Sequence, residues 1–353
     1  MRARGLGLIA VLLVHMPVAF LFRGWRVVTQ PLNGGLIQRV FNQPRFIKFQ
    51  DTLAQSTLPR FYVIVMPLTL HFLLPCLALL QGRAQVVLLS NGARRWERRV
   101  LTKRFPDLPM FDLWTLPFSS VAHGNVITLL LTNHRGDFGI IDHDCYVFDD
   151  TVFKQLAPAS DECVVSLFNE TSRSVGTTFP LTFFMYFNAE VLRRLMQLYH
   201  VDARLYRKAP TTAVHAMARI GLGPTTFWKD YHNFRDTLHV LLAVAVAEGL
   251  KFRFVSSNEA EPAMHVGGTS IGTHHTKDLQ AHYIHLRFLE LLNEPELTRR
   301  YAFMCTPLKK SADALARIDL ADPAWQWLPA FDTLMHRLRY ALQERAHTSD
   351  HKK

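Results

Sequence analysis

The segment Gly136–Asp150, "GDFGIIDHDCYVFDD", sends the apolar residues Phe138, Ile140 and Ile141 directly into Asp142-His143-Asp144. Carboxylates are rarely buried without a partner, so two of them at the end of an apolar run ask for a cation. Read as one extended strand through Phe148, residues two apart face the same side, and Asp142 and Asp144 address a single ion. Hard carboxylate oxygens suit Mg2+ or Mn2+, and such an ion can hold a diphosphate and neutralise charge on a leaving phosphate. An Asp-x-Asp pair alone also fits an acid-rich surface turn, which Asp149 and Asp150 would extend.

The elements needed to position these acids are legible upstream. "FYVIVMP" is β-branched and aromatic and stops at a proline, as a buried strand does, and "HFLLPCLALLQG" has helical spacing with Pro75 expected in the first turn. Then come a strand "AQVVLLSNG", a charged helix "ARRWERRVLTKRF", a short strand "MFDLWTLP", and a helix in "SSVAHGNVITLLLTNHRG" opened by Ser119 and Ser120. Continuously apolar strands separated by helices imply a mostly parallel sheet covered on both faces, whose ligands bind beyond the strands' carboxyl ends. Beyond Asp150 the alternation loosens. "ECVVSLFNE" and "FPLTFFMYFNAEVLRRLMQLY" give two strands and a helix, "NFRDTLHVLLAVAVAEGLKFRFV" a long helix and a strand, and "AMHVGGTSIGTHH" a glycine-rich loop; from Lys277 the pattern is helical and charged, with a frayed polar tail.

The 353 residues carry 40 Lys and Arg against 29 Asp and Glu, a formal charge of +11, which suits an anionic ligand or an anionic membrane face. No recognition-helix motif or aromatic ladder accompanies the charge, so no nucleic-acid partner is expected. The four cysteines lie far apart without a CxxC pair and read as buried thiols of a reducing compartment. Leu6 to Phe22 is uncharged and largely apolar between arginines; it fits a membrane-attached helix, a helix packed on the protein itself, or a cleaved signal.

A parallel α/β half closed by an apolar strand plus Asp-x-Asp, followed by a mixed half, resembles a GT-A-fold glycosyltransferase, family 2-like. "FYVIVMPL", "VVLLSNG", "HGNVITLLL" and "FGIIDHDCYVF" come in the order used by those enzymes, and "FRDTLHVLLAVAVAEG" and "MHVGGTS" resemble their later motifs. The resemblance implies an α/β, GT-A-like (nucleotide-diphospho-sugar transferase) fold with a C-terminal helical region. It divides the chain into an N-terminal arm (1–58), a catalytic domain (59–280, with a nucleotide-binding half 59–150 and an acceptor half 151–280) and a helical region (281–353). It further implies a metal-dependent, inverting transferase using Mn2+ or Mg2+, a nucleotide-diphospho-sugar donor, and a glycan or lipid-linked acceptor. The expected location is cytoplasmic, with attachment to the cytoplasmic face of the inner membrane left open.

Carried over, the resemblance gives Asp142 and Asp144 the metal, with Asp142 also toward the donor, and His265 the third ligand position. Gly267 and Gly268 would approach the phosphates, and Asp236, with Asp230 as competitor, would be the general base. Thr69 and His71 would line the nucleotide pocket, and His123 would approach the donor unless it only opens its helix. Many members hold the nucleoside with an acid after the second strand; here that place reads Leu89-Ser90-Asn91-Gly92, leaving Ser90 and Asn91 as uncharged hydrogen-bonding candidates. Trp228 and Tyr231 fit either a sugar-stacking loop or core anchors. The rival readings are a haloacid-dehalogenase-like phosphatase, which would want Thr or Val where Tyr146 stands, a nucleotidyltransferase, and a non-enzymatic basic membrane-associated protein.

Overall fold

A computed structural model describes residues 25, 28–117, 119–229, 234–257, 259, 261–267, 279–310 and 326–350. Leu6–Phe22, Asp230, Tyr231 and Gly268 lie outside the described residues. Among the described residues a wide-wound helix α1 (Asn33–Asn42) runs into α2 (Gln43–Asp51), and the chain then alternates β1 (Arg60–Val65), α3 (Leu70–Leu80), β2 (Gln85–Ser90), α4 (Arg95–Arg104), β3 (Met110–Asp112), α5 (His123–Asn133) and β4 (Phe138–Ile141). There follow β5 (Cys145–Val147), β6 (Glu162–Ser166), β7 (Asn169–Thr171), β8 (Thr178–Pro180), β9 (Phe184–Phe187), α6 (Ala189–Tyr199), α7 (Thr211–Arg219), α8 (His239–Ala247), β10 (Lys251–Phe254) and β11 (Ala263–His265). Three further helices follow among the described residues: α9 (Leu279–Leu292), α10 (Pro295–Lys310) and α11 (Leu328–Asp350).

The central sheet has the order β10-β6-β9-β4-β1-β2-β3, in which β9 alone runs against the other six strands. Both faces are covered, which is why its strands read as unbroken apolar runs. Along β1, Phe61, Val63 and Val65 enter the core on one face, while Tyr62 and Ile64 enter the core on the other. The C-terminal helices belong to the first of these cores, where Phe288, Tyr301, Phe331 and Leu338 join α3. This is the expected mixed α/β, mostly parallel sheet flanked by helices with a C-terminal helical region, consistent with a GT-A-like architecture.

Several local expectations are corrected. The apolar run ending in the two acids is not one strand. β4 stops at Ile141, Asp142–Asp144 form a turn closed by the Cys145 amide donating to the Asp142 carbonyl (3.0 Å), and β5 leaves the main sheet to pair with β11. The glycine-rich loop therefore begins as a strand, β11. Ser119 and Ser120 do not cap α5, whose N-cap is Ala122 with no side-chain bond. Pro75 lies inside α3 rather than in its first turn, because the helix already starts at Leu70. The long helix expected around Asp236 is only α8. Leu238 takes φ +67° just before it, and Arg235 is bridged to Tyr206 by a pair of 2.8 Å backbone bonds, so Asp236 sits in a turn ahead of the helix.

Glu97 ties the two halves of the first core together. This fully buried carboxylate accepts from its own helix N-cap amide at Arg94 (2.7 Å), from Leu68 N–H (2.6 Å) and from the Tyr301 hydroxyl (2.7 Å). It thereby holds Leu68 at φ +68°, in the loop that follows β1. Glu97→Ala leaves three donors without an acceptor at about 1–3 kcal/mol each, so denaturant unfolding should show a loss of about 3–5 kcal/mol, with Tyr301→Phe losing about 1 kcal/mol.

His134 gives a pH signature. It is buried, its Nδ1 lies 3.1 Å from the Gly136 carbonyl and its Nε2 3.5 Å from the Arg60 guanidinium. A carbonyl only accepts and a guanidinium only donates, so the ring is neutral with its proton on Nδ1. Burial, opposed by the hydrogen bond to the Gly136 carbonyl and aided by the weaker charges of Arg60 and Arg193, lowers its pKa to about 4. Between that value and the ordinary ~6.5 the unfolded chain binds the extra proton and the folded chain does not, so stability falls as pH drops through this window. The His134 contribution is at most about 3 kcal/mol. Unfolding followed between these pH values should show a shallower slope for His134→Gln than for the parent chain.

Candidate active site

The turn at the end of β4 and the strand β11 meet at one point. Pairing of β11 with β5 sets His265 opposite Cys145, next to Asp144, and Val266 N–H donates to the Asp144 carbonyl at 3.2 Å. His265 Nε2 then lies 3.3 Å from Asp144 Oδ1 and 3.8 Å from Asp142 Oδ2. One ligand atom from each residue falls within 4.8 Å of the others. Phe183 floors the site: its ring stacks on His265 at 3.5 Å between centroids and 14° between planes, and its carbonyl accepts the Asp142 amide at 2.9 Å. The Asp144 side chain is 4% exposed and that of Asp142 28%, so one carboxylate anchors while the other opens outward.

This donor set fits a divalent cation. A bond of ~2.1 Å at ~90–110° puts neighbouring ligand atoms ~3.0–3.4 Å apart, close to the spacing of His265 from Asp144. Burial, then the Asp144 charge beside it, holds the Asp142 carboxyl well above the ordinary carboxylate range. His143, buried between the two acids, is kept below its ordinary value chiefly by burial, with Asp144 opposing. The nearby thiols of Cys76 and Cys145 are buried and pushed up by that burial and by neighbouring anions, which makes them inert.

A second cluster surrounds Asp236. Its Oδ1 accepts from Thr237 N–H at 2.8 Å and its Oδ2 from Lys229 Nζ at 2.9 Å. A small pocket beside it is lined by Phe179, Thr182, Met185, Trp228 and His239. Trp228 is buried and sandwiched between Phe179 (5.1 Å, 6°) and His239 (4.9 Å, 8°), so among the two uses open to it, it is an anchor of the pocket wall. The two clusters are neighbours. Thr182 lines the Asp236 pocket while the next residue, Phe183, floors the metal-type site. His123, at the start of α5, is close enough to both Asp236 and His143 to feel their charges; burial, aided by His143, outweighs the opposing charge of Asp236 and lowers its pKa to about 4. Gly124 lets the start of α5 lie against the backbone of Ala203 and Arg204, since a Cβ there would meet the Ala203 carbonyl oxygen at 2.5 Å.

The remaining sequence candidates are placed as follows. Gly267 takes φ +70° directly after the β11 end, beside the His265 ring. Ser90 ends β2 buried. Asn91 spends both ends of its amide on the backbone of Val121, at 2.8 and 2.7 Å. Thr69 is buried with its hydroxyl on the Met66 carbonyl (2.8 Å), and His71 is buried against His285, ring nitrogens 2.6 Å apart. Sequence reasoning missed Phe183, Lys229 and His143. The first two carry no local signal, whereas the position of His143 between the acids was readable.

A family model described as "StrH glycosyltransferase N-terminal domain" matches residues 38–192, less than half of the chain but inclusive of Asp142 and Asp144. No curated protein matches the chain. Among solved structures, an active-site mutant of LgtC is 10% identical with a TM-score of 0.39, covering 68% of this chain and 99% of its own. The mannosyltransferase PcManGT from Pyrobaculum calidifontis, in complex with GDP-Man and Mn2+, is 13% identical with a TM-score of 0.35, covering 90% and 97%. S. aureus TarS is 11% identical with a TM-score of 0.34, covering 81% and 82%. No function is transferred from likenesses at this level.

Proposed function

We propose that the chain is a metal-dependent glycosyltransferase that moves a sugar from a nucleotide-diphospho-sugar to a hydroxyl acceptor on a glycan or lipid-linked glycan, with inversion. The carrying observation is the convergence of Asp142, Asp144 and His265 beyond the carboxyl end of a parallel strand, next to a pocket that holds a further carboxylate. The glycosyltransferase family model over residues 38–192 supports the same class. A Mn2+ or Mg2+ ion held by these three side chains would neutralise charge on the departing diphosphate.

In this reading Asp236 orients the acceptor hydroxyl and takes its proton as the oxygen bonds to the anomeric carbon; the bond from that carbon to the diphosphate oxygen breaks, and the diphosphate leaves with the electron pair. Lys229 and Thr237 N–H fix the Asp236 carboxylate, and the wall formed by Phe179, Trp228 and Met185 keeps bulk water from the anomeric centre. Neutral His123 stands between the two clusters as a donor-side contact. Gly267 is the backbone approach to the phosphates. Ser90, Asn91 and Thr69 shape the nucleotide end from behind.

A thermal-shift screen of nucleoside diphosphates, each with and without Mn2+, tests the donor class and the metal together. A stabilisation seen only with both present is expected. Stabilisation by neither, or by the nucleotide equally well without metal, would contradict the proposal.

A further inference from the structure

The N-terminal helical arm is built inside out. Its inner face is largely polar: buried Asn33, Gln38 and Asn42 point at the protein, with Ile37 among them and Phe46 anchoring the following turn in the core. Asn33 donates to Ser119 Oγ (2.8 Å) and accepts Leu116 N–H (3.0 Å). Gln38 donates to the Asn125 carbonyl (3.1 Å). Asn42 clamps both backbone groups of Trp114 at 3.0 and 2.7 Å. These bonds fix which side of the helix faces the protein, and the opposite side carries apolar residues recurring every four positions. Val28 is 56% exposed, Leu32 41%, Leu36 63% and Val40 52%, and Phe41 packs at a tilt against exposed Trp114, 4.3 Å between ring centroids. A contiguous apolar face held outward by a polar inner face is the reverse of a water-exposed helix, and a surface of this kind marks an interaction site.

The charge around it selects the occupant. Residues 1–50 contain no aspartate or glutamate, while Arg39, Arg45 and Lys48 stand exposed among the apolar residues and four further arginines precede them in sequence. On the other face of the sheet, α4 brings Arg95, Arg98, Arg99 and Lys103 to a groove along the same edge strand β3, where Arg98 pairs with Asp112 and Arg45 lies over Phe111. A second copy of so basic a surface would be repelled. No described helix is long and apolar enough to cross a membrane. An amphipathic helix with cations beside its apolar face lies in the headgroup region of an anionic bilayer.

We infer that the arm 28–47, with Trp114, is a membrane-docking surface that seats the β3 edge of the protein on anionic lipid. This assignment is independent of the transferase reading. It has a consequence for it, because the arm's inner face is bonded to the segment leading into α5, whose first residue His123 adjoins Asp236. Docking therefore places the catalytic pocket beside the bilayer, where a lipid-borne acceptor would reside.

The test is co-flotation of the full chain with vesicles of phosphatidylcholine alone or with about a third phosphatidylglycerol. The expected result is binding to the anionic vesicles that weakens with salt, and a loss of about tenfold or more in the double variant Leu36→Glu, Val40→Glu, whose thermal midpoint stays at that of the parent because both side chains are exposed. A probe attached at Leu36→Cys should shift to an apolar environment only when anionic vesicles are added. Three results would overturn the inference. Vesicle binding unchanged in the double variant would leave anchoring to other residues. A probe already apolar without vesicles and insensitive to dilution would mean that the chain's own N-terminal segment covers the face, and one that loses its apolar signal on dilution would mean that a second copy does.

Discussion

Asp144→Ala should abolish metal-dependent donor turnover, with an expected fall in kcat/KM of about a thousandfold or more, equivalent to ~4 kcal/mol of transition-state stabilisation. Asp144 is the decisive member of the trio because it is the most enclosed and stands nearer than Asp142 to His265 Nε2, 3.3 against 3.8 Å. The substitution should leave the fold intact. The bond from Val266 to residue 144 uses the backbone carbonyl, and removing the Asp144 carboxylate takes away the charge that, after burial, raises the Asp142 pKa. In the absence of metal the thermal midpoint should therefore hold or rise. Donor turnover in a parent and variant series, with circular dichroism as the control, decides it; full activity in Asp144→Ala removes the metal role.

Asp236→Asn should lower kcat by about 10^2–10^4-fold while donor affinity changes by less than about threefold. Asparagine keeps the acceptor oxygen for Thr237 N–H and the volume of the side chain, so the turn before α8 stays closed by the His239 amide on the residue 236 carbonyl. What is lost is the proton-accepting charge and the ion pair with Lys229. Single-turnover rates and donor titration separate the two quantities. An equal loss of binding and rate would make Asp236 a structural acid of the pocket.

Much of the fold was legible because both faces of the sheet are buried. β1, β2 and β4 had to be continuously apolar, and the helices between them had to be long enough to cross over. The two acids stood out because they follow such a strand. Their convergence has a different cause from the strand alternation that first suggested it: a turn at 142–144 brings them together, and His265 arrives through a strand pairing between segments more than a hundred residues apart. No local pattern encodes that pairing, nor the Phe183 ring beneath it, nor the Lys229 partner of Asp236. Asn91 illustrates the converse. Its type and position suit a nucleotide contact, yet its amide is consumed by the Val121 backbone, a use that depends entirely on where the loop before α5 runs. The inside-out arm was hidden for a similar reason. Which side of α1 is outward is set by the bonding partners of Asn33 and Asn42, and these lie at 114–120.

The claim on which the rest depends is that Asp142, Asp144 and His265 hold one divalent ion together with a nucleoside diphosphate. Titration of the full chain with Mn2+ followed by electron paramagnetic resonance, in the presence of a nucleoside diphosphate active in the thermal-shift screen, tests it most directly. The expected result is one tightly bound Mn2+ per chain that is lost in Asp144→Ala and weakened about ten- to a hundredfold in His265→Ala. Binding of the same stoichiometry and affinity in both variants would contradict it.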